Sequence, residues 1–199
     1  MTGRTGATTG HAASEPPAES WPVGRGGQVM VRRTHEQDRG ALRAMIDGLS
    51  RESRYFRFLT GGRVVDEVVD GLARPVPGGM ALVVVAPDAQ GTPAIVASAE
   101  YVVTGRVAEF AVVVADGWQG QGLGRRLITR LREHARAAGL RAMRGDVLSE
   151  NRRMLAILRD LGFSSRRNPE DSFLHEVSMT LREEASSGQW LPADWFGAS

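Results

Sequence analysis

A glycine-rich segment is the part of the sequence best suited to hold a charged ligand. It consists of Gln119, Gly120, Gln121, Gly122, Leu123, Gly124 and Arg125. The segment follows an apolar run and precedes helical spacing, so it would form a strand-to-helix turn. Glycine allows positive φ and close approach, and a helix N-terminus offers unpaired N–H groups at the positive end of its dipole. We therefore predict a phosphate-binding loop, strengthened by Arg125 and Arg126; the alternative is a tight turn without a ligand.

Two common phosphate-binding loops do not fit this segment. A nucleoside-triphosphate loop requires a lysine followed by serine or threonine, and the sequence contains no lysine. A dinucleotide fingerprint spaces its glycines as G-x-G-x-x-G early in a βαβ unit, whereas these glycines are at positions 120, 122 and 124. The ligand class must therefore come from other features.

Positive charge is concentrated around the same segment. Residues 118–167 contain 12 arginines and four acidic residues, a net charge of +8, whereas the whole chain carries only +2. GC-rich codon usage explains why arginine replaces lysine throughout, but not why the charge is clustered. The clustering favours an anionic ligand. Nucleic acid is a weaker alternative, because aromatic residues do not interleave with this cationic segment.

Glu109 is the acidic residue that most needs an explanation. It is the only acid in the otherwise apolar run 105–115. A charge within a buried strand requires either an ionic partner or a function. We expect Glu109 to be functional, with a salt bridge to an arginine near the strand end as the alternative.

Several elements must position these residues. Apolar runs and alternation predict strands over 28–33, 80–86, 94–104, 105–115, 140–148 and 173–181. Helical spacing predicts two helices within 35–59 with a break near Ser50, a third over 64–73, and two more after Gly122 and Ser149. Gly139 and Gly162 would end the last two.

This order predicts an α+β fold with one mixed central sheet. The strands from 80 to 115 form an antiparallel meander, and the helix after the glycine loop makes a parallel crossover between 105–115 and 140–148. Residues 1–27 lack hydrophobic periodicity and are predicted to be a disordered tail. Residues 28–182 would form the domain, and 183–199 a C-terminal tail.

The glycine segment and a second motif resemble the GCN5-related N-acetyltransferase family. The segment is similar to the family's Q/R-x-x-G-x-G/A motif. The run "ENRRMLAILRDLGF" at 150–163 is similar to its second coenzyme-contacting segment. The resemblance covers roughly residues 28–182. A weaker likeness links "GLSRESRYFRFL" at 48–59 to the family's bacterial protein-lysine acetyltransferase branch.

The resemblance implies acetyl-CoA as the acetyl donor. Its diphosphate would rest on the N–H groups of residues 119–125. Its pantetheine arm would lie in a gap between two diverging strands, bonded to the backbone of Val112, Val113 and Val114 like an added strand. Asn151 would contact the pantetheine or phosphate region, or alternatively cap its helix.

The resemblance also implies a chemical role for Glu109. An acceptor amine with a pKa of about 10.4 must lose a proton before it attacks the thioester, and a carboxylate acting through water could take it. Glu109 is the candidate base and Glu100 the reserve. The Val112 N–H could stabilise the oxyanion. Leu158 occupies the position of the family's tyrosine general acid, so solvent would protonate the leaving thiolate.

The predicted function is thus an N-acetyltransferase that uses direct attack in a ternary complex. A protein lysine side chain is one candidate acceptor, and a small amine such as an antibiotic or polyamine is another. The alternative of a different class is a non-catalytic acyl-CoA sensor.

Composition bounds the remaining expectations. With no cysteine, a disulfide framework, a thiolate metal site and an acyl-enzyme on cysteine are excluded, and the four histidines lack metal-ligand spacing. No metal is expected. No apolar run could span a bilayer and no signal peptide is visible, so we expect a cytoplasmic protein without membrane contact. Two tryptophans in the C-terminal tail suggest packing on the domain or a homodimer contact.

Overall fold

A computed structural model describes residues 18–24, 27–74 and 77–182. Most of the predicted N-terminal tail and the whole C-terminal tail, with its expected dimer contact, lie outside these residues. The strands are β1 Glu19–Val23, β2 Gly27–Arg33, β3 Met80–Pro87, β4 Pro93–Thr104, β5 Val107–Val114, β6 Ala142–Leu148, β7 Ser164–Arg167 and β8 Leu174–Thr180. The helices are α1 Arg39–Asp47, α2 Arg51–Phe58, α3 Asp66–Ala73, α4 Leu123–Ala137 and α5 Arg152–Asp160.

The described strands form one sheet in the order β1-β2-β3-β4-β5-β6-β8-β7. All neighbours pair antiparallel except β5 and β6, which pair parallel through the crossover helix α4. This arrangement confirms the predicted α+β class, the antiparallel meander and the parallel crossover. The strand after the crossover therefore returns beside the strand that carries Glu109.

Helices cover both faces of the sheet. The apolar stripe of α4, which includes Leu127 and Leu131, packs on one face together with Leu158 of α5. Helices α1 and α3 pack on the other face through residues such as Ile46 and Val69. Residues 80–86 of β3 are buried along their whole length because this inner strand is covered on both sides. Among the described residues, no helix is both long and apolar enough to cross a lipid bilayer.

Strand β1 corrects the predicted N-terminal boundary. Residues 19–23 belong to the sheet rather than to a disordered tail, and Trp21 is buried. The Arg126 guanidinium lies over the Trp21 ring, 4.3 Å from its centre, and donates to the Pro22 carbonyl at 2.8 Å. Five residues containing a proline give too short a pattern to predict a strand. The packing of the Trp21 ring against α4 stabilises β1 instead.

Strand β7 was also absent from the prediction. Its four residues, "SSRR", are all exposed and show no apolar alternation. They form a strand because β8 offers a free edge, with which β7 pairs antiparallel. Charged, short edge strands of this kind discourage pairing with another chain.

Strands β5 and β6 separate after three paired positions. The last of these joins Glu109 to Arg144. Beyond it, a Cβ atom on Gly145 would lie only 3.0 Å from Phe110 Cε1 and 3.2 Å from the Phe110 carbonyl oxygen. The Phe110 ring packs beside Gly145 and also contacts the Phe163 ring, 5.4 Å away between centres. The expected gap between the two strands is therefore present, and the packing of Phe110 beside Gly145 lies at its start.

Candidate active site

A groove of about 650 Å³ opens where β5 and β6 diverge. Ten of the predicted ligand-binding residues line it: residues 112–114, Gln119, Gly120, residues 122–125 and Asn151. Gln121 does not line it, because its amide oxygen lies beside Gly24, in the turn after β1. The fold thus brings the two sequence motifs, one before α4 and one before α5, to the same cavity.

The glycine loop exposes the start of α4. Gly120 and Gly122 have φ values of +82° and +81°, which side-chain-bearing residues rarely adopt. Gly122 is the N-cap of the 15-residue helix α4, and no side chain caps that end. The first-turn N–H groups therefore remain available to an anion at the positive end of the helix dipole.

One edge of β5 is open to the groove. The Ala115 N–H donates to the Val96 carbonyl of β4 at 2.9 Å, which fixes the alternation of backbone directions along β5. By that alternation Val113 turns its backbone groups toward β4, whereas Val112 and Val114 turn theirs toward the gap. Gln119 Nε2 donates to the Val114 carbonyl at 3.2 Å. The Val112 N–H and carbonyl and the Val114 N–H remain to pair with an extended ligand.

Arginines border the groove unequally. Arg125 lines it and pairs with Asp160 at 2.8 Å. Arg126 packs against β1 instead of strengthening the loop as expected. Arg152 and Arg153, at the start of α5, line the groove, although sequence reasoning did not single them out.

The second motif is placed by α5. Asn151 is the N-cap of this helix, and its side-chain oxygen accepts from the Met154 N–H at 3.1 Å. This is the capping role considered as the alternative, and it leaves the amide NH₂ of Asn151 for a ligand. Leu158 is buried in the core, so this position presents no acid to the groove.

Glu109 lies at the point where the two strands part. Arg144 Nη2 donates to Glu109 Oε1 at 2.6 Å, the ionic partner considered as the alternative. About a third of the Glu109 side chain is exposed, on the sheet face opposite α4. Glu109 does not line the groove itself but stands beside its inner end.

Glu100 lies on the same sheet face, on the neighbouring strand. It pairs in register with Ala111, so it is a diagonal neighbour of Glu109. Arg57 Nη2 of α2 donates to Glu100 Oε1 at 2.8 Å, and Arg57 lines the groove. Burial raises the pKa of Glu100 above its usual range, although the charge and hydrogen bond of Arg57 oppose that rise.

Two further carboxylates extend this face across β6 and β8. Asp146 and Glu176 pair in register, and Arg166 binds Glu176 through Nη2, 3.0 Å from each carboxylate oxygen. Partial burial raises the pKa of Asp146 against the effect of Arg144, and the nearby Glu176 and Glu109 charges raise it further. We call the face formed by Glu100, Glu109, Asp146 and Glu176 the acidic face.

Helix α2 forms the wall of the groove that sequence reasoning did not assign. Glu52, Ser53, Phe56 and Arg57 line the cavity. The sequence predicts a helix after Ser50 and a family likeness over 48–59, but neither assigns this segment to the groove. Its regular spacing of polar and aromatic residues gave no reason to place it beside the glycine loop.

Known proteins share both sequence and architecture with this chain. A model of the acetyltransferase (GNAT) family matches residues 73–163. An acetyltransferase of Pseudomonas aeruginosa is 32% identical over 163 residues, 77% of this chain and 86% of that protein. The GNAT domain of S. lividans PAT superposes with a TM-score of 0.71 at 22% identity, covering 82% of this chain and 96% of that domain. A putative acetyltransferase of Salmonella typhimurium, solved with its cofactor acetyl-CoA, gives 0.61 at 20% identity, covering 79% and 96%.

Proposed function

Since the chain belongs to the GNAT acetyltransferase family, we propose that it transfers the acetyl group of acetyl-CoA to a protein lysine side chain. The observation that carries this proposal is the open edge of β5 running into the uncapped start of α4. Coenzyme A joins an extended, amide-containing pantetheine arm to a diphosphate, so the arm would pair with the β5 edge and the diphosphate would bind at the start of α4. Acetyl-CoA would supply an activated thioester carbonyl.

The residues of the groove suit each part of that co-substrate. The N–H groups of residues 120–125 would bind a diphosphate, with Arg125 and Arg153 nearby as cations; the Gln119 N–H, also expected there, donates to the Asp116 carbonyl instead. Val112 and Val114 offer backbone partners for the two amides of a pantetheine arm. The Val112 N–H can also donate to the acetyl oxygen as negative charge develops there. Asn151 adds a side-chain amide on the opposite wall.

Glu109 is our proposed proton acceptor. An acceptor amine entering from the acidic face would pass Glu109 before reaching the inner end of the groove. Glu109 sits too far toward the paired part of β5 to line the groove, so we propose that it takes the proton through water. Arg144 holds the carboxylate in place through the ion pair between Arg144 Nη2 and Glu109 Oε1.

The acidic face supports an acceptor that carries positive charge. Glu109 stands beside the inner end of the groove with Asp146 on the same sheet face, and a lysine side chain is long enough to reach from this face to the point where the strands diverge. A free polyamine carries the same charge and is the competing small-molecule acceptor. The chain's own side chains cannot compete, because the sequence has no lysine.

A thiol-release assay with acetyl-CoA and a panel of amines tests this function. Lysine peptides should be acetylated faster than spermidine or aminoglycosides at equal concentration. Faster acetylation of the small amines would show instead that the acceptor is a small-molecule amine. Binding of acetyl-CoA by calorimetry without turnover of any amine would favour an acyl-CoA sensor.

Glu109→Gln tests the proposed base. It should lower kcat by about 10²-fold or more and leave the Kd for acetyl-CoA within about twofold, because the residue lies outside the groove. Glu133→Gln, which removes the acid of another Arg–Glu pair on α4, is the matched control. If Glu109→Gln retains kcat, the role passes to Glu100.

A further inference from the structure

The N-terminus of α2 is fastened to the segment between β5 and the glycine loop. Asp116 accepts three hydrogen bonds from α2 and its N-cap residue: the Ser50 N–H at 2.8 Å, the Ser50 hydroxyl at 2.8 Å and the Ser53 hydroxyl at 2.7 Å. Ser50 is also the N-cap of α2 and accepts from the Ser53 N–H at 3.1 Å. The Asp116 carboxylate thus stands at the positive end of this helix.

Ser53 extends this contact to the glycine motif. Its hydroxyl oxygen, which donates to Asp116, also accepts from Gln119 Nε2 at 3.2 Å. The same amide nitrogen donates to the Val114 carbonyl at the open edge of β5, and Gln119 Oε1 accepts from Arg153 at 3.1 Å. One hydroxyl therefore joins α2 to the loop, to the edge strand and, through Gln119, to α5.

Helix α2 depends on such polar contacts for its position. None of its side chains is fully buried, although it carries Tyr55, Phe56 and Phe58. The other helices all bury at least one apolar side chain in the two cores. Apart from Phe58, which packs against the core of α1 and α3, and the Arg57–Glu100 ion pair, α2 is held by these polar contacts at its N-terminus, so it has fewer buried apolar contacts than the other helices.

We propose that Ser53 is a positioning residue that couples coenzyme binding to the placement of α2 on the acceptor side. This inference rests on the proposed function. A diphosphate that fixes the glycine loop also fixes Gln119, and Gln119 then holds Ser53 and α2. Phe56 and Arg57, one turn further along α2, are thereby set at the wall that an acceptor must pass.

Coupling of this kind is reciprocal. If the coenzyme favours the docked position of α2 by a given factor, docked α2 raises coenzyme affinity by the same factor. A factor of about five, at the lower end of measured couplings, is reasonable because the Gln119–Ser53 link in this bridge is a single neutral hydrogen bond. Removal of the Ser53 hydroxyl should therefore weaken coenzyme binding by at most about fivefold.

Hydrogen exchange of the amides in residues 48–59 tests the coupling, with coenzyme A as the probe and calorimetry to establish saturation. In the wild type, saturating coenzyme A should slow this exchange about fivefold. In Ser53→Ala the slowing should fall below about twofold, and Ser53→Thr, which keeps a hydroxyl, should restore it. Asp116→Asn should resemble Ser53→Ala. Asp88→Asn, which alters a carboxylate that also accepts backbone N–H groups but in the β3–β4 turn, should resemble wild type.

Kinetics supply a second readout. Ser53→Ala should raise KM for the best amine of the panel about fivefold while kcat stays within twofold. Equal slowing of exchange in wild type and Ser53→Ala would overturn the coupling and leave the proposed function intact. The coupling would also be overturned if coenzyme A binds the wild type without slowing hydrogen exchange in residues 48–59. Absence of any heat with coenzyme A would overturn both.

Discussion

Arg57 and Glu100 form an ion pair between α2 and β4, with Nη2 2.8 Å from Oε1 and less than a fifth of either side chain exposed. Breaking a buried pair on one side leaves an uncompensated charge, which costs about 3–5 kcal/mol. We expect Glu100→Gln to lower the free energy of unfolding by about 3 kcal/mol, discounted for the residual exposure. Urea denaturation measures it.

The matched control for this prediction is the double variant. Replacing both partners by apolar residues, Arg57→Met with Glu100→Met, removes both charges and should recover most of the loss. If the double variant is as unstable as the sum of the single variants, the two charges do not interact and the pair has no structural role.

Asp38 should give the protein an acid-sensitive contribution to stability. Arg32 binds both its carboxylate oxygens at 2.7 Å, and the His35 N–H donates to it at 2.8 Å. Burial opposes ionisation, but these hydrogen bonds and the Arg32 charge hold the pKa of Asp38 below its usual 3.8. The stabilisation is therefore present above about pH 4 and lost as the pH falls through the lower, folded-state value.

Comparison of Asp38→Asn with wild type across pH measures this contribution. The difference in unfolding free energy should be about 2 kcal/mol at pH 7 and should shrink progressively as the pH is lowered below about 4. A difference that is constant with pH would show that the contribution comes from packing rather than from charge.

His134 should be a neutral imidazole with its proton on Nδ1. The cation Arg33 can only donate to Nε2, at 3.3 Å, so Nδ1–H donates to the Tyr101 hydroxyl oxygen at 2.7 Å. Burial, with the Arg33 and Arg130 charges, lowers the pKa of His134 below 6.5. Nitrogen-15 NMR should show the Nδ1–H tautomer at pH 6.5. Titration at or above the usual pKa would contradict this assignment.

Gly145→Ala should disturb the divergence of β5 and β6. The added methyl group would meet Phe110 at 3.0–3.2 Å, and overpacking of this kind costs about 1–3 kcal/mol. We expect lower stability and weaker coenzyme A binding by calorimetry. Gly71→Ala, inside α3 where a Cβ meets nothing within 4 Å, should instead stabilise by about 0.5–1 kcal/mol.

The sequence predicted the elements whose signals are local and apolar. Residues 80–86 and the stripe of α4 could be assigned because periodicity reports burial directly. Strand β7 and the docking of α2 could not, since their polar residues are held by partners distant in sequence. The partner of Glu109 followed only from the register that sets Arg144 beside it.

The candidate site was predictable to the same extent. Glycine spacing identified the loop, because positive φ is a property of single residues. Arg126 was assigned to the loop by its position alone. In the structure it packs on the Trp21 ring instead, a contact between residues about a hundred positions apart in sequence. Contacts between residues so far apart in sequence cannot be predicted from the spacing of residue types along the chain.

The uncapped start of α4 sets a limit on engineering this protein. Placing Asp or Ser at Gly122 is the usual route to a more heat-resistant helix, worth about 1 kcal/mol where the backbone permits it. Here φ is +81°, so a side chain would strain the backbone, and it would also compete with the diphosphate that we propose for the same N–H donors. At this glycine the usual stabilising substitution should therefore lower both the melting temperature and the rate of turnover.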